Sequence, residues 1–377
     1  MIREYFGVGS IENVRLILAG VAPRSIFLVT GKRSYDDCGA SKALGNLLAE
    51  YSVSRFNDFD VNPNIDNIRK GVDLFKKKRC DLVIAVGGGS VMDTAKVVNI
   101  LSAHDEDAAL YVKKERKIRC SGKPLVAVPT TAGSGGEATH FAALYIDKKK
   151  YSLEDERLLP TYAIIDPQFT FSLPKRITAS TGMDALSQAI ESYWSIYSSD
   201  ESKAYAREAI MLAREHIVHA VNQPTIEARI AMSRAAHAAG KAINTTRTTA
   251  CHAVSYPITA YFGVPHGHAV GLTLSRMFAY NSTPSEADIL DIRGVAYVKG
   301  VMRELAVLLG AQDTESAKKA IDSIMRKIGL EMHLRELGIS GNDIEIIIKN
   351  GFDPERVKNN PRLVTEQALR KILNDIR

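Results

Sequence analysis

The chain has 377 residues, 45% hydrophobic and 24% charged, with 49 Lys and Arg against 43 Asp and Glu and a net charge of +6. These fractions are those of globular proteins and exclude a disordered or fibrous chain, and the length suggests two domains. The basic runs at residues 76–79 and 148–150 are short and far apart, so no nucleic-acid partner is expected and the excess is a hint of an anionic ligand.

Residues 1–6 lack the apolar run of a signal peptide. No uninterrupted apolar stretch approaches the roughly 18 residues of a spanning helix, so no membrane is expected. Cys38, Cys80, Cys120 and Cys251 are too sparse for a disulfide framework and too far apart for a thiolate zinc motif. The expectation is a soluble cytoplasmic protein with reduced thiols.

Residues 10–19 read as a helix capped at Ser10, and residues 25–30 (SIFLVT) as a buried strand closed by Gly31. Apolar residues at helical spacing follow over 65–78. Further buried strands fit residues 81–86, closed by three glycines, residues 124–128 before Pro129, and residues 162–165 before Asp166. Continuous apolar strands alternating with helices imply βα units and a parallel sheet covered on both faces. After Pro174 the strand signals vanish. Residues 184–194, 202–221, 226–243 and 315–330 are helical patterns, with loops at 263–265, 283–285 and 359–361. The fold class is an α/β N-terminal dinucleotide-binding domain with a parallel sheet, residues 1–172, followed by an all-α domain, residues 173–377.

The sharpest local feature is the run 86–96, VGGGSVMDTAK. Glycines after a strand let backbone N–H groups approach a phosphate, and the next helix offers its positive end to the anion. Ser90 suits either an N-cap or a phosphate donor. Taken alone, the run is equally a tight strand-to-helix turn. A second loop, residues 129–137 (PTTAGSGGE), also follows a strand and carries hydroxyls and glycines suited to a nucleotide.

With these two loops the sequence resembles the iron-containing (group III) alcohol dehydrogenase family. The matching blocks occur in order: GGGSVMDTAK, PTTAGSGGE, IDP at 165–167, TGMDAL at 181–186, PHG at 265–267 and NPR at 360–362. The resemblance covers nearly the whole chain. It implies a dehydroquinate synthase-like fold with the active site in the cleft between the domains, and hydride transfer between a nicotinamide and an alcohol or aldehyde. It places Gly88, Gly89, Ser90, Asp93, Thr130, Thr131 and Ser134 on the dinucleotide, with Lys150 near the nicotinamide.

NAD-preferring members usually carry Asp after the second strand, where it bonds the ribose 2′-OH. Here that place is Gly31, followed by Lys32 and Arg33. The missing carboxylate and the two cations suit a 2′-phosphate, so NADPH is the expected cofactor, with NADH the alternative.

Asp184 and Gln188 are four apart on a helical pattern and share a face. By resemblance, the family binds a divalent metal through Asp, His, His and His, and the aligned residues here are Asp184, Gln188, His252 and His266. An amide oxygen is a weaker donor than imidazole, yet the set still suits Fe(II) or Zn(II). Taken alone, His252 fits a satisfied structural histidine better than a ligand, and a metal-free site is the competing reading.

Tyr256 stands where many members carry a further His, so Tyr256, His268 or water would supply the proton. The usually Gly-rich segment before the first metal His reads Arg247, Thr248, Thr249 here, a guanidinium and hydroxyls suited to a tetrahedral oxyanion. The runs 184–194 and 248–257 look similar to those of phosphonoacetaldehyde reductases. That implies reduction of phosphonoacetaldehyde to 2-hydroxyethylphosphonate, with Arg247 holding the phosphonate. The alternatives are an alcohol dehydrogenase for uncharged aldehydes, a dehydroquinate-synthase-like lyase and a non-catalytic nucleotide-binding protein. A homodimer is the assembly considered.

Overall fold

The computed structural model describes residues 2–147, 149–352 and 354–377, so Lys148 of the second basic run lies outside the described residues. The chain divides into two compact units, Met1–Leu173 and Pro174–Arg377.

The first unit is built on strands β1 (Arg3–Phe6), β2 (Ser25–Thr30), β3 (Ser52–Phe56), β4 (Leu82–Gly87), β5 (Leu125–Pro129) and β8 (Tyr162–Ile165). They form one parallel sheet in the order β1-β8-β5-β4-β2-β3. Helices α1 (Val14–Val21), α2 (Ser34–Asp37), α3 (Ala40–Leu48), α4 (Ile65–Lys78), α5 (Gly89–Leu101) and α6 (Ala108–Val112) connect them, and β6 (Phe141–Ile146) with β7 (Lys149–Glu154) makes a separate antiparallel pair. Alternation splits the strands between two apolar cores. Phe27, Val29, Val83 and Ala85 enter one, while Ile26, Leu28, Leu82, Ile84 and Val128 enter the other.

From β2 the chain steps to the β3 edge, then returns across β2 to β4 and on to β5 and β8. The strand order therefore reverses between β2 and β4, and the carboxyl ends at such a switch point are where open α/β sheets bind ligands. Gly31 closes one of those ends and the glycine run closes the other.

Three local outcomes differ from the sequence reading. Ser10 opens a short 3₁₀ turn, Ser10–Asn13, rather than capping a helix, and the Asp166 carboxylate accepts from Ile11 N instead. Helix α5 is capped by Gly88, so Ser90 lies inside its first turn rather than at the cap. Strands β1 and β3 were not legible, because as edge strands they alternate or expose polar residues and lack the apolar run of a buried strand.

The second unit is helical: α7 (Lys175–Trp194), α8 (Asp200–Asn222), α9 (Ile226–Thr246), α10 (Ala250–Phe262), α11 (His266–Asn281), α12 (Val295–Leu308), α13 (Thr314–Lys327), α14 (Ile344–Gly351), α15 (Pro354–Val357) and α16 (Glu366–Asp375). Helix α7 is its axis. From Thr178 to Trp194 all but Thr181 is buried, with α8, α9 and α11 packed around it. No helix among the described residues is long and apolar enough to cross a membrane.

Candidate active site

In the first unit the two glycine-containing loops lie side by side at the carboxyl ends of β4 and β5. Thr130 N donates to Gly87 O at 3.0 Å. A Cβ on Gly88 would stand 3.2 Å from the Thr131 side chain, and one on Gly89 would stand 3.3 Å from Ser134. Gly88, Gly89, Ser90, Thr131 and Ser134 are partly exposed, while Thr130 is buried. The first amides of α5 stand at this rim, a geometry suited to a phosphate. Ser90 Oγ accepts from Asn62 N at 3.1 Å.

Asp93 and Lys96 follow on α5. Burial pushes the Asp93 carboxyl up to about 6, against the opposing pull of Lys96 and Lys150. Burial also pulls the Lys96 ammonium down to about 8, opposed by Asp93 and Glu137. Lys96 Nζ donates to Thr139 O (2.7 Å), Thr139 Oγ1 (2.9 Å) and Phe141 O (3.1 Å), tying α5 to the segment that enters β6. Lys150, on β7, is thereby in electrostatic range of Asp93.

At the end of β2, Lys32 pairs with Asp60 at 3.7 Å, both exposed. Arg55 was not singled out from sequence. Its Nε donates to Thr30 Oγ1 at 2.8 Å, its Nη2 donates to Gly31 O at 3.3 Å, and its guanidinium lies over the Tyr35 ring. Lys32, Arg33 and Arg55 thus surround the Gly31 turn, with Asp36 and Asp60 as the local acids.

In the second unit, Asp184, His252 and His266 converge. One donor atom from each lies within 4.8 Å of the others. Asp184 Oδ1 is 3.5 Å from His252 Nε2 and 4.0 Å from His266 Nε2. Four ligands at 2.0–2.1 Å around a tetrahedral ion would sit roughly 3.4 Å apart. Gln188 is one turn along α7 from Asp184; its Oε1 and His252 Nε2 are both buried with no hydrogen bond. Buried acceptors left orphaned, one of them in the Asp184–His252–His266 cluster, fit a cation. Both rings also have their other nitrogen engaged. His252 Nδ1 meets Glu191 Oε2, and His266 Nδ1 lies 3.3 Å from Ser255 Oγ, whose proton goes to His252 O. In the neutral rings each Nε2 lone pair would face Asp184, and the donor set fits a divalent metal. With no ion bound, burial is outweighed by Glu191 and Asp184, which hold the His252 pKa up at about 9.

The close approach of α11 to α7 depends on Gly267. A Cβ there would collide with the backbone carbonyl of Ser180 and stand 2.7 Å from Asp184 Cβ. Tyr256 stacks on His266 at 6.2 Å between centroids. His268 is two residues beyond His266 on one helix, about 200° around its axis, and leaves on the other side. Its ring is buried and bonded to Glu331 O at 2.8 Å, and burial lowers its pKa. The structure gathers Tyr256, and not His268, around the His266 ring.

Arg247 ends α9 with φ 59° and ψ 178°, a conformation nearly confined to glycine. Its flanks are pinned. Arg247 N donates to Ile243 O at 2.8 Å, Ser195 Oγ to Thr246 O at 3.1 Å, and Asn359 Nδ2 to Thr248 O at 3.0 Å. Thr249, expected to contact substrate, has its hydroxyl engaged within the protein. It is fully buried, its hydroxyl donating to Glu191 and accepting from Trp194 Nε1, so it has no proton left for a ligand. Thr248 is also buried, at 6% exposure, which leaves Arg247 as the partly exposed residue of the three.

Glu191 was passed over in the sequence although its signal was there: Asp184, Gln188 and Glu191 are spaced 4 and 3 on one helix face. It is fully buried, and although burial opposes its ionisation, the neighbouring His252 holds its pKa below the usual carboxylate value.

Comparison with known proteins agrees with this geometry. Residues 3–167 match the iron-containing alcohol dehydrogenase family model and residues 178–376 the Fe-containing alcohol dehydrogenase C-terminal model. The phosphonoacetaldehyde reductase of Streptomyces viridochromogenes is 34% identical, covering 79% of this chain and 76% of that protein. The 1,3-propanediol dehydrogenase of Klebsiella pneumoniae is 31% identical over 98% of this chain and 95% of its own. Among solved structures, the sulfoacetaldehyde reductase of Bifidobacterium kashiwanohense in complex with NAD+ superimposes with a TM-score of 0.88 at 30% identity, covering 100% of this chain and 96% of that one.

Proposed function

The chain belongs to the iron-containing alcohol dehydrogenase family, and within it we propose that this enzyme reduces a small anionic aldehyde, phosphonoacetaldehyde foremost, to its alcohol with NADPH. It is a nicotinamide-linked alcohol dehydrogenase by family. The observation that carries the finer reading is Arg247, held in a glycine-only backbone conformation five residues before His252. A non-glycine residue there costs about 1–3 kcal/mol, and its retention is explained if the guanidinium has a ligand. A planar fork of N–H donors matches a phosphonate better than a lysine would.

Asp184, Gln188, His252 and His266 would hold the metal, Fe(II) or Zn(II). When bound, such an ion polarises a carbonyl oxygen and stabilises the negative charge that develops on it. Ser255 Oγ accepts from His266 Nδ1, which leaves the His266 Nε2 atom to face Asp184. Tyr256, stacked on His266, is the side chain best placed to hand a proton to the new alkoxide, with water as its competitor. In the first unit Gly88, Gly89, Ser90, Asp93, Thr130, Thr131, Ser134 and Lys150 would hold the dinucleotide. Gly31, Lys32 and Arg33, joined by Arg55, favour a 2′-phosphate.

The deciding experiment is steady-state reduction of phosphonoacetaldehyde, sulfoacetaldehyde and butanal by wild type and Arg247→Ala. Loss of a charge-assisted bidentate contact, about 3 kcal/mol, predicts roughly 100-fold lower kcat/KM for the anionic aldehydes with butanal little changed. Equal loss on all three overturns the role of Arg247. Sulfoacetaldehyde is the second reading because the relative that reduces it shares this fold at 30% identity; a higher kcat/KM for it than for phosphonoacetaldehyde would make it the substrate.

A further inference from the structure

Behind the metal-ligand cluster lies a group with no place in the reaction so far. Glu191 is 0% exposed and uses both carboxylate oxygens. Oε1 accepts from Thr249 Oγ1 at 2.6 Å and from Cys251 N at 2.9 Å, and Oε2 accepts from His252 Nδ1. Trp194 Nε1 in turn donates to Thr249 Oγ1 at 2.9 Å, so Glu191 is the hub where α7 meets the first turn of α10.

We infer that Glu191 is the positioning residue of the metal centre: by accepting from His252 Nδ1 it fixes the ring's tautomer and keeps the Nε2 lone pair facing Asp184. The inference rests on the metal reading above. A buried carboxylate bonded to a ligating imidazole both orients the ring and makes it a stronger donor. The effect matters more here because the neutral amide of Gln188 stands where an imidazole would bind more tightly.

The hydrogen-bond arithmetic makes the claim specific. In Glu191→Gln the amide can take two orientations. Placing its NH2 toward Cys251 N–H sets donor against donor on a fixed backbone group. The other orientation keeps the oxygen on Thr249 and Cys251 and turns the NH2 to His252 Nδ1. That nitrogen must then accept, so the proton moves to Nε2, the atom required to bind metal.

The test is metal binding, independent of turnover. Co(II) titration, read by its visible absorption, and chelator competition with Zn(II) would be compared for wild type, Glu191→Gln, Glu191→Asp and Asp184→Asn. Glu191→Gln is expected to weaken binding about 10- to 100-fold. The metal-free variant should show the Nε2–H tautomer of His252 in its ¹⁵N spectrum. Glu191→Asp, still an acceptor but one methylene shorter, should fall between it and wild type. Wild-type affinity in Glu191→Gln overturns the inference. If Glu191→Gln does not fold, Glu191→Asp decides: weaker binding supports the role and unchanged binding overturns it. Absence of binding in wild type, or binding unaffected by Asp184→Asn, overturns the metal reading and this inference with it, an outcome distinct from the other two.

Discussion

At the scale of single residues, strain and burial separate the side chains that hold the fold from those we propose for a ligand. Arg247 is the clearest case. Arg247→Gly removes the cost of φ 59°, offset partly by the freer unfolded chain, and is expected to stabilise the protein by about 1 kcal/mol. The same variant should lose reduction of anionic aldehydes; a lower melting midpoint in denaturant would contradict the strain argument. Asp93 gives a pH test. Its carboxyl is pushed up to about 6 by burial, so the bond we propose it accepts from the cofactor would be lost as pH falls through that value. For folding the sign is opposite: a carboxyl whose pKa is raised contributes stability in acid that is lost as pH rises through 6. NADP+ affinity, read by calorimetry, should therefore weaken between pH 7 and 5 in wild type and stay flat in Asp93→Asn. The motifs pointed to Asp184, His252 and His266, which the structure brings together, but not to the hydrogen bonds behind them. Thr249 looked like a substrate hydroxyl because sequence records residue type and not where a proton is already spent. Glu191, on the same face as Asp184 and Gln188, showed the correct spacing without showing what lay behind it.

Helices and strands were legible in proportion to how completely they are buried. β2, β4 and β5 are buried along nearly their whole length and read as apolar runs, and α4 read cleanly because Asn64 caps it and its apolar spacing is strict. The β6–β7 pair, with Lys149 and Lys150 beside half-buried residues, carried no such run. Nor could the sequence show why Gly267 follows His266. Its reason is tertiary, since it lets the start of α11 lie against the backbone of α7. Gly267→Ala is expected to cost about 1–3 kcal/mol of stability through overpacking and to draw His266 away from Asp184. A variant with wild-type Zn(II) affinity would show that the crossing does not set the ligand geometry. The Gly31 turn carries a parallel expectation for the β2–β4 switch point. Arg55→Ala should lower the ratio of kcat/KM for NADPH over NADH several-fold, and a wild-type ratio that already favours NADH would refute the 2′-phosphate reading.

Over the whole molecule, the two units have separate cores and separate candidate ligand sites. The candidate metal donors all come from Pro174–Arg377, and the candidate dinucleotide loops from Met1–Leu173. Cations stand in both units, Lys32, Arg33 and Arg55 around the Gly31 turn and Arg247 at the end of α9. A ligand stabilises the state it binds by RT ln(1 + [L]/Kd), about 2.7 kcal/mol at one hundred times Kd. Its local effect falls on the amides of the elements that hold it. Zn(II) should therefore slow hydrogen exchange in α7 around residues 184–191 and at the starts of α10 and α11. NADPH should slow it at residues 87–92 and 130–136. The reverse pattern, with the metal protecting the glycine loops, would overturn the assignment of ligands to units. Protection by metal should also reach residues 246–251, because Glu191 ties that segment to His252 through Thr249 and Cys251. In Glu191→Gln that outlying protection should weaken even at saturating metal, because an amide there cannot serve Thr249, Cys251 and a His252 that binds through Nε2 all at once, which separates the wiring of the site from its occupancy.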